Sequence, residues 1–319
     1  MSYLLKLIFS VAISLALCQG SVIQDGHRQL TRTQLRLKNS NAYIGYNRNN
    51  FSSGKRIEPT EAGVKAAVDS GLIKPDVETI VIIHGQYAND TDTDIVAIKN
   101  AYLRSAEYNV IIVDWRLAAN MGDAAAFSFV PIIAEGVTEF LELLTTGETP
   151  AVATAKLHLV GFGLGAHLAG FASRNLPEAV QRITGLDPAG PRWDARSGRL
   201  TTTDAQYVEV IHTDGFGNKA FGIEEPIGHV DFYPNGGRHT QIGCPGHEQL
   251  CSHRRALQLF EASVDAGRAN GLIGNSCIDM RQMTNNQCKG RTLEMGGLDI
   301  IKFGSGIYRM NTKRDYPFF

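Results

Sequence analysis

Apolar and polar positions along the chain follow two alternating patterns, one typical of buried strands and the other of amphipathic helices. Short continuous apolar runs suit strands that are buried on both faces of a parallel sheet, and they occur at 79–83, 109–113, 157–160, 182–186 and 207–212. Apolar residues at helical spacing occur between or beside these runs, at 61–70, 94–106, 130–144, 164–175 and 253–266. The alternation predicts one α/β domain with a mainly parallel sheet and helices on both faces.

The two ends of the chain carry weaker patterns. Residues 35–46 alternate apolar and polar positions, as an edge strand does, and residues 307–311 read as a last strand. Residues 21–33 are polar, and we expect them to be loosely ordered.

The first 20 residues have the composition of a secretory signal peptide. Lys6 precedes the apolar run 7–17, and small residues stand at Cys18 and Gly20, where a signal peptidase cleaves. No later run approaches the roughly 20 apolar residues of a membrane span. We therefore expect a secreted, extracellular protein whose single domain occupies 21–319. Sequons at Asn50 and Asn89 are candidate glycosylation sites in such a protein.

Charge and cysteine content narrow the classes of function. Lys and Arg number 31 against 32 for Asp and Glu, so nothing indicates a nucleic-acid partner. Removal of the signal leaves an even number of cysteines in an oxidising compartment, which favours disulfides. These cysteines are Cys244, Cys251, Cys277 and Cys288. Four cysteines allow three pairings, and their spacings are not those of a zinc ribbon, so we predict no metal and no cofactor.

Residues 157–167, Leu-His-Leu-Val-Gly-Phe-Gly-Leu-Gly-Ala-His, read as a strand, a tight turn and the start of a helix. In the nucleophile elbow G-x-S-x-G a serine stands at the apex of such a turn, whereas here the apex is Gly163. The same glycines also fit the dinucleotide fingerprint G-x-G-x-x-A, with Asp187 as the ribose-binding acid. In dinucleotide-binding domains the glycine turn lies in the first βα unit, whereas two predicted strands precede residues 157–167. Glycines kept only for packing are the third interpretation.

Three flanking segments favour the elbow. The strand at 79–83 ends in His84-Gly85-Gln86, the strand at 182–186 ends in Asp187-Pro188, and His253 follows Cys251-Ser252. The order of nucleophile position, acid and base is the order found in α/β-hydrolases.

Together with 113–116 (Val-Asp-Trp-Arg) and 231–237 (Asp-Phe-Tyr-Pro-Asn-Gly-Gly), these segments resemble the animal lipase family, which includes pancreatic lipase, insect phospholipases A1 and fly yolk proteins. The resemblance runs from about Leu37 to Phe319. It implies an α/β-hydrolase fold in which Asp187 orients His253 as general base, and the backbone amides of Gln86 and Leu164 form an oxyanion hole. The chain departs from the family at Gly163, the position of the nucleophile.

The resemblance also has implications for the disulfide pairing, the length of the lid and the C-terminal domain. It implies that Cys244 pairs with Cys251 and Cys277 with Cys288, a local pairing that short loop closure also favours. The first bridge then closes a lid of only six residues, 245–250, which is too short for a lid helix and similar to the phospholipase A1 branch. Pancreatic-type lipases continue into a C-terminal β-sandwich domain, which we do not expect in this chain.

The remaining polar residues near these motifs have structural interpretations as well as chemical ones. We expect His84 to order the oxyanion loop by hydrogen bonding and Asp114 to fix its own loop. His247 is close to His253 in sequence, but its place within the short lid argues against a role as the base. Asp187 and His253 are either a catalytic pair in use or a hydrogen-bonded structural remnant.

Gly163 decides the expected function, because covalent ester hydrolysis needs a hydroxyl or thiol beside its base. We expect a catalytically silent lipase homologue that binds a lipid or small apolar ligand in the former acyl cleft, or an extracellular protein partner. The alternative is a weak ester hydrolase or phospholipase A1 of lipid metabolism, in which His253 and Asp187 activate water or another hydroxyl substitutes. The nearest downstream serine, Ser173, falls within the predicted helix.

Overall fold

The structure is a computed structural model that describes residues 23–25, 28–148, 150–267 and 271–319. The expected signal peptide, residues 1–20, lies outside the described residues. The described strands are β1 Ile23–Asp25, β2 Arg28–Leu30, β3 Ala42–Tyr46, β4 Lys55–Ile57, β5 Thr79–Ile83, β6 Asn109–Asp114, β7 Leu157–Phe162, β8 Arg182–Leu186, β9 Tyr207–Ile211, β10 Val230–Pro234, β11 Ile273–Cys277, β12 Thr292–Glu294 and β13 Gly306–Met310. The described helices are α1 Arg32–Lys38, α2 Glu61–Asp69, α3 Thr93–Ser105, α4 Arg116–Ala119, α5 Asp123–Thr145, α6 Leu164–Ser173, α7 Gln249–Asp265 and α8 Met280–Thr284.

Eleven strands form one sheet in the order β12-β11-β13-β10-β9-β8-β7-β5-β6-β3-β4. The centre, from β13 to β6, is parallel throughout, whereas β3 and β4 on one side and β11 and β12 on the other run antiparallel to their neighbours. Apolar side chains from both faces of the central strands are buried, as the continuous apolar runs predict. The predicted α/β architecture is confirmed.

Two apolar clusters pack on opposite faces of the sheet. One contains buried residues of α2, α5 and α6, and the other contains those of α3 and α7. The two clusters meet across strands such as β5, whose side chains alternate between them: Val81 and Ile83 belong to the first and Ile80 and Ile82 to the second. This double burial holds the central strand ends rigidly, and the candidate site is built on those ends.

The prediction for residues 35–46 is wrong over its first half. Residues Arg32–Lys38 form helix α1, because Thr31 and Gln34 form a capping box in which each side chain binds the other's backbone N–H. Strand β3 then pairs with both β4 and β6, so it is not an edge strand. Residues 23–25 pair with 28–30 in a short antiparallel hairpin.

Helix α5 begins seven residues before the predicted helix at 130–144 and contains Pro131 in its interior. It has 23 residues, and by length and composition it is long and apolar enough to cross a membrane. The sequence-based expectation that no run after the signal peptide approaches the length of a membrane span is therefore wrong. More than half of its most apolar window is buried within the fold, against the sheet and α6. Such burial is typical of the core helix of a folded domain, which passes the same test of composition.

Disulfides join Cys244 to Cys251 and Cys277 to Cys288. The first closes the six-residue segment 245–250. That segment contains no separate lid helix, and its last two residues begin α7.

The asparagine side chains of the two sequons differ in the hydrogen bonds that they make. The Asn50 Nδ2 donates to Gly45 O at 3.0 Å and to Ser53 O at 3.2 Å, so attachment of a glycan to that nitrogen removes one of two donors. In the other sequon Thr91 donates to Asn89 Oδ1, and Asn89 Nδ2 has no hydrogen-bond acceptor among the described residues. We expect peptide mapping of the protein secreted from insect or mammalian cells to find a glycan on Asn89 and little or none on Asn50. High occupancy of Asn50 with unchanged stability would contradict this ranking.

Candidate functional site

The predicted site residues gather at one end of the sheet. His84 follows β5, Gly163 follows β7 and Asp187 follows β8, and the carboxyl ends of parallel strands share one edge of a sheet. His253 reaches the same edge from the first turns of α7, where it lies 8% exposed. The glycine turn follows the third parallel strand along the chain rather than the first, so the arrangement does not favour the dinucleotide interpretation.

The three positions of the turn require glycine for different physical reasons. A Cβ on Gly161 would lie 2.3 Å from Gly165 O, and one on Gly165 would lie 2.4 Å from Ile83 O, so packing between strands and helix requires both. Gly163 has φ 55° and ψ −117°, a conformation that costs other residues about 1–3 kcal/mol. A Cβ there would meet only the ring of His253, at 3.2 Å from Nε2. The apex is thus the position from which a side chain would face the histidine.

The acid and the base are in contact. His253 Nδ1 lies 2.6 Å from Asp187 Oδ2, and Asp187 is fully buried. The other carboxylate oxygen accepts the backbone N–H groups of Thr213 at 2.7 Å and Asp214 at 3.0 Å. A carboxylate that only accepts hydrogen bonds fixes the histidine tautomer with its proton on Nδ1. Nε2 is then directed at the space above Gly163.

Two further contacts hold the histidine in place. Its ring lies between those of Phe162, at 4.5 Å between centroids, and Phe221, at 5.5 Å. The next residue, Arg254, binds Asp92 and Asp94 at the start of α3 with bonds of 2.7–3.0 Å. These contacts anchor the first turns of α7 against the core and so fix the orientation of His253.

The two backbone amides expected to form the oxyanion hole are available. Leu164 is the first residue of α6, so its N–H has no acceptor within the helix. The N–H of Gln86 has no hydrogen-bond acceptor in the described part of the chain. The Gln86 side chain points elsewhere and donates to Asp123 Oδ1 at 3.1 Å.

His84 orders the loop that carries Gln86. It is fully buried; its Nδ1 binds Gly85 O at 2.7 Å, and its Nε2 lies 3.1 Å from the backbone N of Trp115. The indole N–H of Trp115 donates a hydrogen bond to His84 O at 2.8 Å. Asp114 accepts the backbone N–H of Arg116, the first residue of the short helix α4, at 3.1 Å. Both residues have the loop-fixing contacts that the sequence led us to expect.

The remaining hydroxyl and histidine candidates lie elsewhere. Ser173 is buried and donates to Asp204 O at 2.7 Å, and the His247 side chain is 84% exposed on the short lid. Thr213 is near the site, but its hydroxyl donates to His253 O at 3.3 Å and not to the ring. Among the described residues no hydroxyl hydrogen-bonds His253 Nε2, and no group of three or more metal-ligating side chains occurs.

Asp214 is a site residue that the sequence analysis missed. It is buried; its carboxylate accepts the N–H of Phe221 at 3.0 Å and binds the Gln249 side chain. Burial, together with repulsion by Asp187, raises its pKa to about 6. Only the fold places Asp214 beside Asp187, because the two are far apart in sequence.

The raised pKa of Asp214 predicts a pH dependence of stability. Between an ordinary carboxyl pKa of about 3.9 and about 6, the folded state keeps a proton that the unfolded state has lost, so stability falls as pH rises through this window. Asp214→Asn should remove this fall, raising the melting temperature at pH 7.5 but not at pH 4. Melting curves of both proteins across that range measure it. An equal shift at both pH values would show that Asp214 is ionised throughout.

A cavity of about 640 Å³ lies beside the site, lined in part by Trp193, Arg199, Ile223 and Glu225. The segment containing Gly222 separates it from the acid, since a Cβ on Gly222 would lie 2.5 Å from the Asp187 carboxylate. The cavity is therefore adjacent to the histidine site but distinct from it.

A mainly parallel sheet with a glycine turn, an acid and a histidine in this order at its carboxyl end defines the α/β-hydrolase class. Within that class the chain belongs to the lipase family, whose model matches residues 20–303. It is 36% identical over 224 residues to lipase member H-B of Xenopus laevis, covering 66% of this chain and 46% of the relative. It is 33% identical over 227 residues to lipoprotein lipase of Bos taurus, covering 63% and 46%. The chain thus spans about half the length of these curated relatives.

The solved structures show only partial overlap. A dienelactone hydrolase from Anabaena variabilis is 14% identical, with a TM-score of 0.32 over 43% of this chain and 63% of that one.

Proposed function

We propose that this chain is a secreted, catalytically silent member of the lipase family that binds a lipid or small apolar ligand in the former acyl cleft. The observation that carries the proposal is Gly163 in front of an otherwise complete Asp187–His253 pair. The 2.6 Å contact between His253 and Asp187 supports it, as does the apex residue facing Nε2, a glycine with no side-chain atom to attack an ester.

The chemical consequence is large. In subtilisin, loss of the triad serine alone lowers kcat by about 10⁶-fold, and the remaining acceleration comes from binding and the oxyanion hole. Here a Cβ at Gly163 would lie in close contact with Nε2, at 3.2 Å, and no side chain of the described residues supplies a nucleophile there. The site therefore retains the means to hold a polar head group without the means to form an acyl-enzyme.

Apolar side chains around the site support an apolar ligand. Tyr87, which follows the oxyanion residue, is 64% exposed, and Leu117 within α4 and Met121 just after it are also exposed. Phe221 and Leu250 are exposed as well, the first beside the His253 ring and the second three residues before it. Burial of apolar surface stabilises a complex by about 25 cal/mol per Å², so an acyl chain lying along these groups is sufficient for micromolar binding.

The 2.6 Å contact between His253 and Asp187 favours a second candidate, a weak ester hydrolase or phospholipase A1 in which His253 Nε2 activates a water molecule directly. This route needs no side-chain nucleophile, and it leaves no covalent intermediate. Its products are the same as those of the family reaction, so turnover alone detects it.

Labelling and turnover together test the proposal. We expect no covalent labelling by a fluorophosphonate reagent and negligible hydrolysis of short-chain esters and phospholipids. Gly163→Ser is the matched control, since it supplies the one absent hydroxyl. Stoichiometric labelling of the parent protein would contradict the silent-homologue proposal, and turnover without labelling would establish the water-activating enzyme. A His253→Gln variant that abolishes such turnover would assign it to this site.

Displacement of a fluorescent fatty acid tests the ligand. We expect natural lipids to displace the probe at micromolar concentration. A flat titration with every lipid class would contradict lipid binding and favour an extracellular protein partner.

A further inference from the structure

One ring nitrogen of His253 faces the apex at Gly163. Its Nδ1 binds Asp187, whereas its Nε2 has no hydrogen-bond partner among the described residues, although the residue is only 8% exposed. The position of Nε2, 3.2 Å from a Cβ at Gly163, shows that a ligand atom above the glycine would satisfy it.

Two backbone N–H groups on the turns after β5 and β7 are further donors at this edge of the sheet. Leu164 opens α6, a helix of ten residues, and its N–H carries the partial positive charge of the helix start. The backbone N–H of Gln86 is the second donor without an acceptor in the described chain. One oxygen of a ligand accepts from these two groups, and a second oxygen on the same carbon is then directed towards Nε2.

We propose that the head group bound here is a free carboxyl, so that the ligand is a fatty acid and not an ester. This proposal rests on the lipid-binding function proposed above and names the ligand class. One oxygen of the carboxyl accepts from the amides of Leu164 and Gln86. The other shares a single proton with His253 Nε2, either as O–H donating to the neutral ring or as an oxyanion accepting from the charged ring.

The missing side chain makes room for this second oxygen. In an active lipase the serine hydroxyl occupies the place beside Nε2, because its oxygen is bonded to the Cβ, and a Cβ at Gly163 would lie 3.2 Å from that nitrogen. With glycine at the apex the place is open to the ligand. An ester has no proton to share, so its alkoxy oxygen leaves Nε2 unsatisfied, and an alcohol has no second oxygen for the amides.

Calorimetric titration with oleic acid, methyl oleate and oleyl alcohol, each below its solubility limit, tests the assignment. We expect the acid to bind at least tenfold more tightly than the ester and the alcohol. Equal affinity of acid and ester would overturn the carboxyl assignment and leave lipid binding intact. Absence of binding by all three would instead contradict the proposed function, so the two failures are distinguishable.

Two variants assign the preference to this site. His253→Gln should reduce the ratio of acid to ester affinity to about one while ester binding persists, and Gly163→Ala should do the same by placing its methyl group in the open space. His247→Gln on the exposed lid is the matched control and should leave the ratio unchanged. If His253→Gln fails to fold, the carboxyl resonance of ¹³C-labelled oleic acid decides. A bound resonance identical in the parent and Gly163→Ala would overturn the assignment.

Discussion

Gly163→Ser is expected to raise the ester hydrolase activity of the protein. The new hydroxyl stands beside His253 Nε2, since a Cβ at this position lies 3.2 Å from that nitrogen, and the base is already oriented by Asp187 at 2.6 Å. A triad serine contributes about 10⁶-fold to kcat in the subtilisin example, so a rise of about 10³-fold or more in kcat/KM is a conservative expectation. Initial rates with a short-chain nitrophenyl ester, together with stoichiometric fluorophosphonate labelling, measure it.

The same substitution is expected to lower stability. At φ 55° and ψ −117° a residue with a Cβ is strained by about 1–3 kcal/mol, and the 3.2 Å contact requires the His253 ring to shift by a few tenths of an ångström. For a domain of this size, the melting temperature should fall by roughly 2–10 °C. Glycine at the apex avoids this strain.

Gly163→Ala separates the two effects. It carries the same strain without a hydroxyl, so it should show the loss of stability and no activity. A serine variant that is destabilised yet inert would mean that the remaining machinery has drifted and that Asp187 and His253 are a structural relic. A serine variant as stable as the parent would contradict the placement of Gly163 at the apex of the turn.

Local sequence patterns were sufficient to predict the strands that carry the site. β5 and β8 begin and end at the predicted residues, and β7 extends by only two, to Phe162. Continuous apolar runs bounded by polar residues mark such strands because both faces of the sheet are covered. The residue that follows each run then falls at the carboxyl edge, which is why the positions of Gly163 and Asp187 were predictable.

What the sequence did not reveal depends on contacts between distant segments. Asp214 lies beside Asp187, and Arg254 beside Asp92, only because β8, β9, α3 and α7 meet at one edge of the sheet. Helix α1 was misassigned for a different reason, since its capping box at Thr31 outweighs an alternation of apolar positions that continues into β3. In that segment a local hydrogen-bond pattern determined the structure, and the apolar periodicity predicted a strand where a helix forms.

A second group of residues missed by the sequence analysis is a buried ionic cluster at the other end of β8. Arg182, the first residue of β8, binds the Glu209 carboxylate, which also lies 3.2 Å from Lys302 Nζ. Arg182 and Glu209 are fully buried. Although burial raises the pKa of Glu209, the charges of Lys302 and Arg182 hold it below its ordinary value. The two cations also donate to the backbone carbonyls of 294, 296, 297 and 299, so the cluster fixes that segment to the sheet.

Glu209→Gln should therefore cause a large loss of stability without altering the site. The change is nearly isosteric but leaves two buried cations without their carboxylate, and breaking a buried pair in this way costs about 3–5 kcal/mol. Urea unfolding with an unchanged m-value measures the loss. Asp69→Asn is the matched control, because its partner Lys65 is exposed and such pairs contribute at most about 0.5 kcal/mol.

β8 separates Arg182 from Asp187 by about 16 Å at 3.3 Å per residue, so fatty acid affinity of the folded variant should equal that of the parent. A small loss of stability would show that the cluster is hydrated and weakly coupled, and a changed affinity would show that it acts on the site through β8.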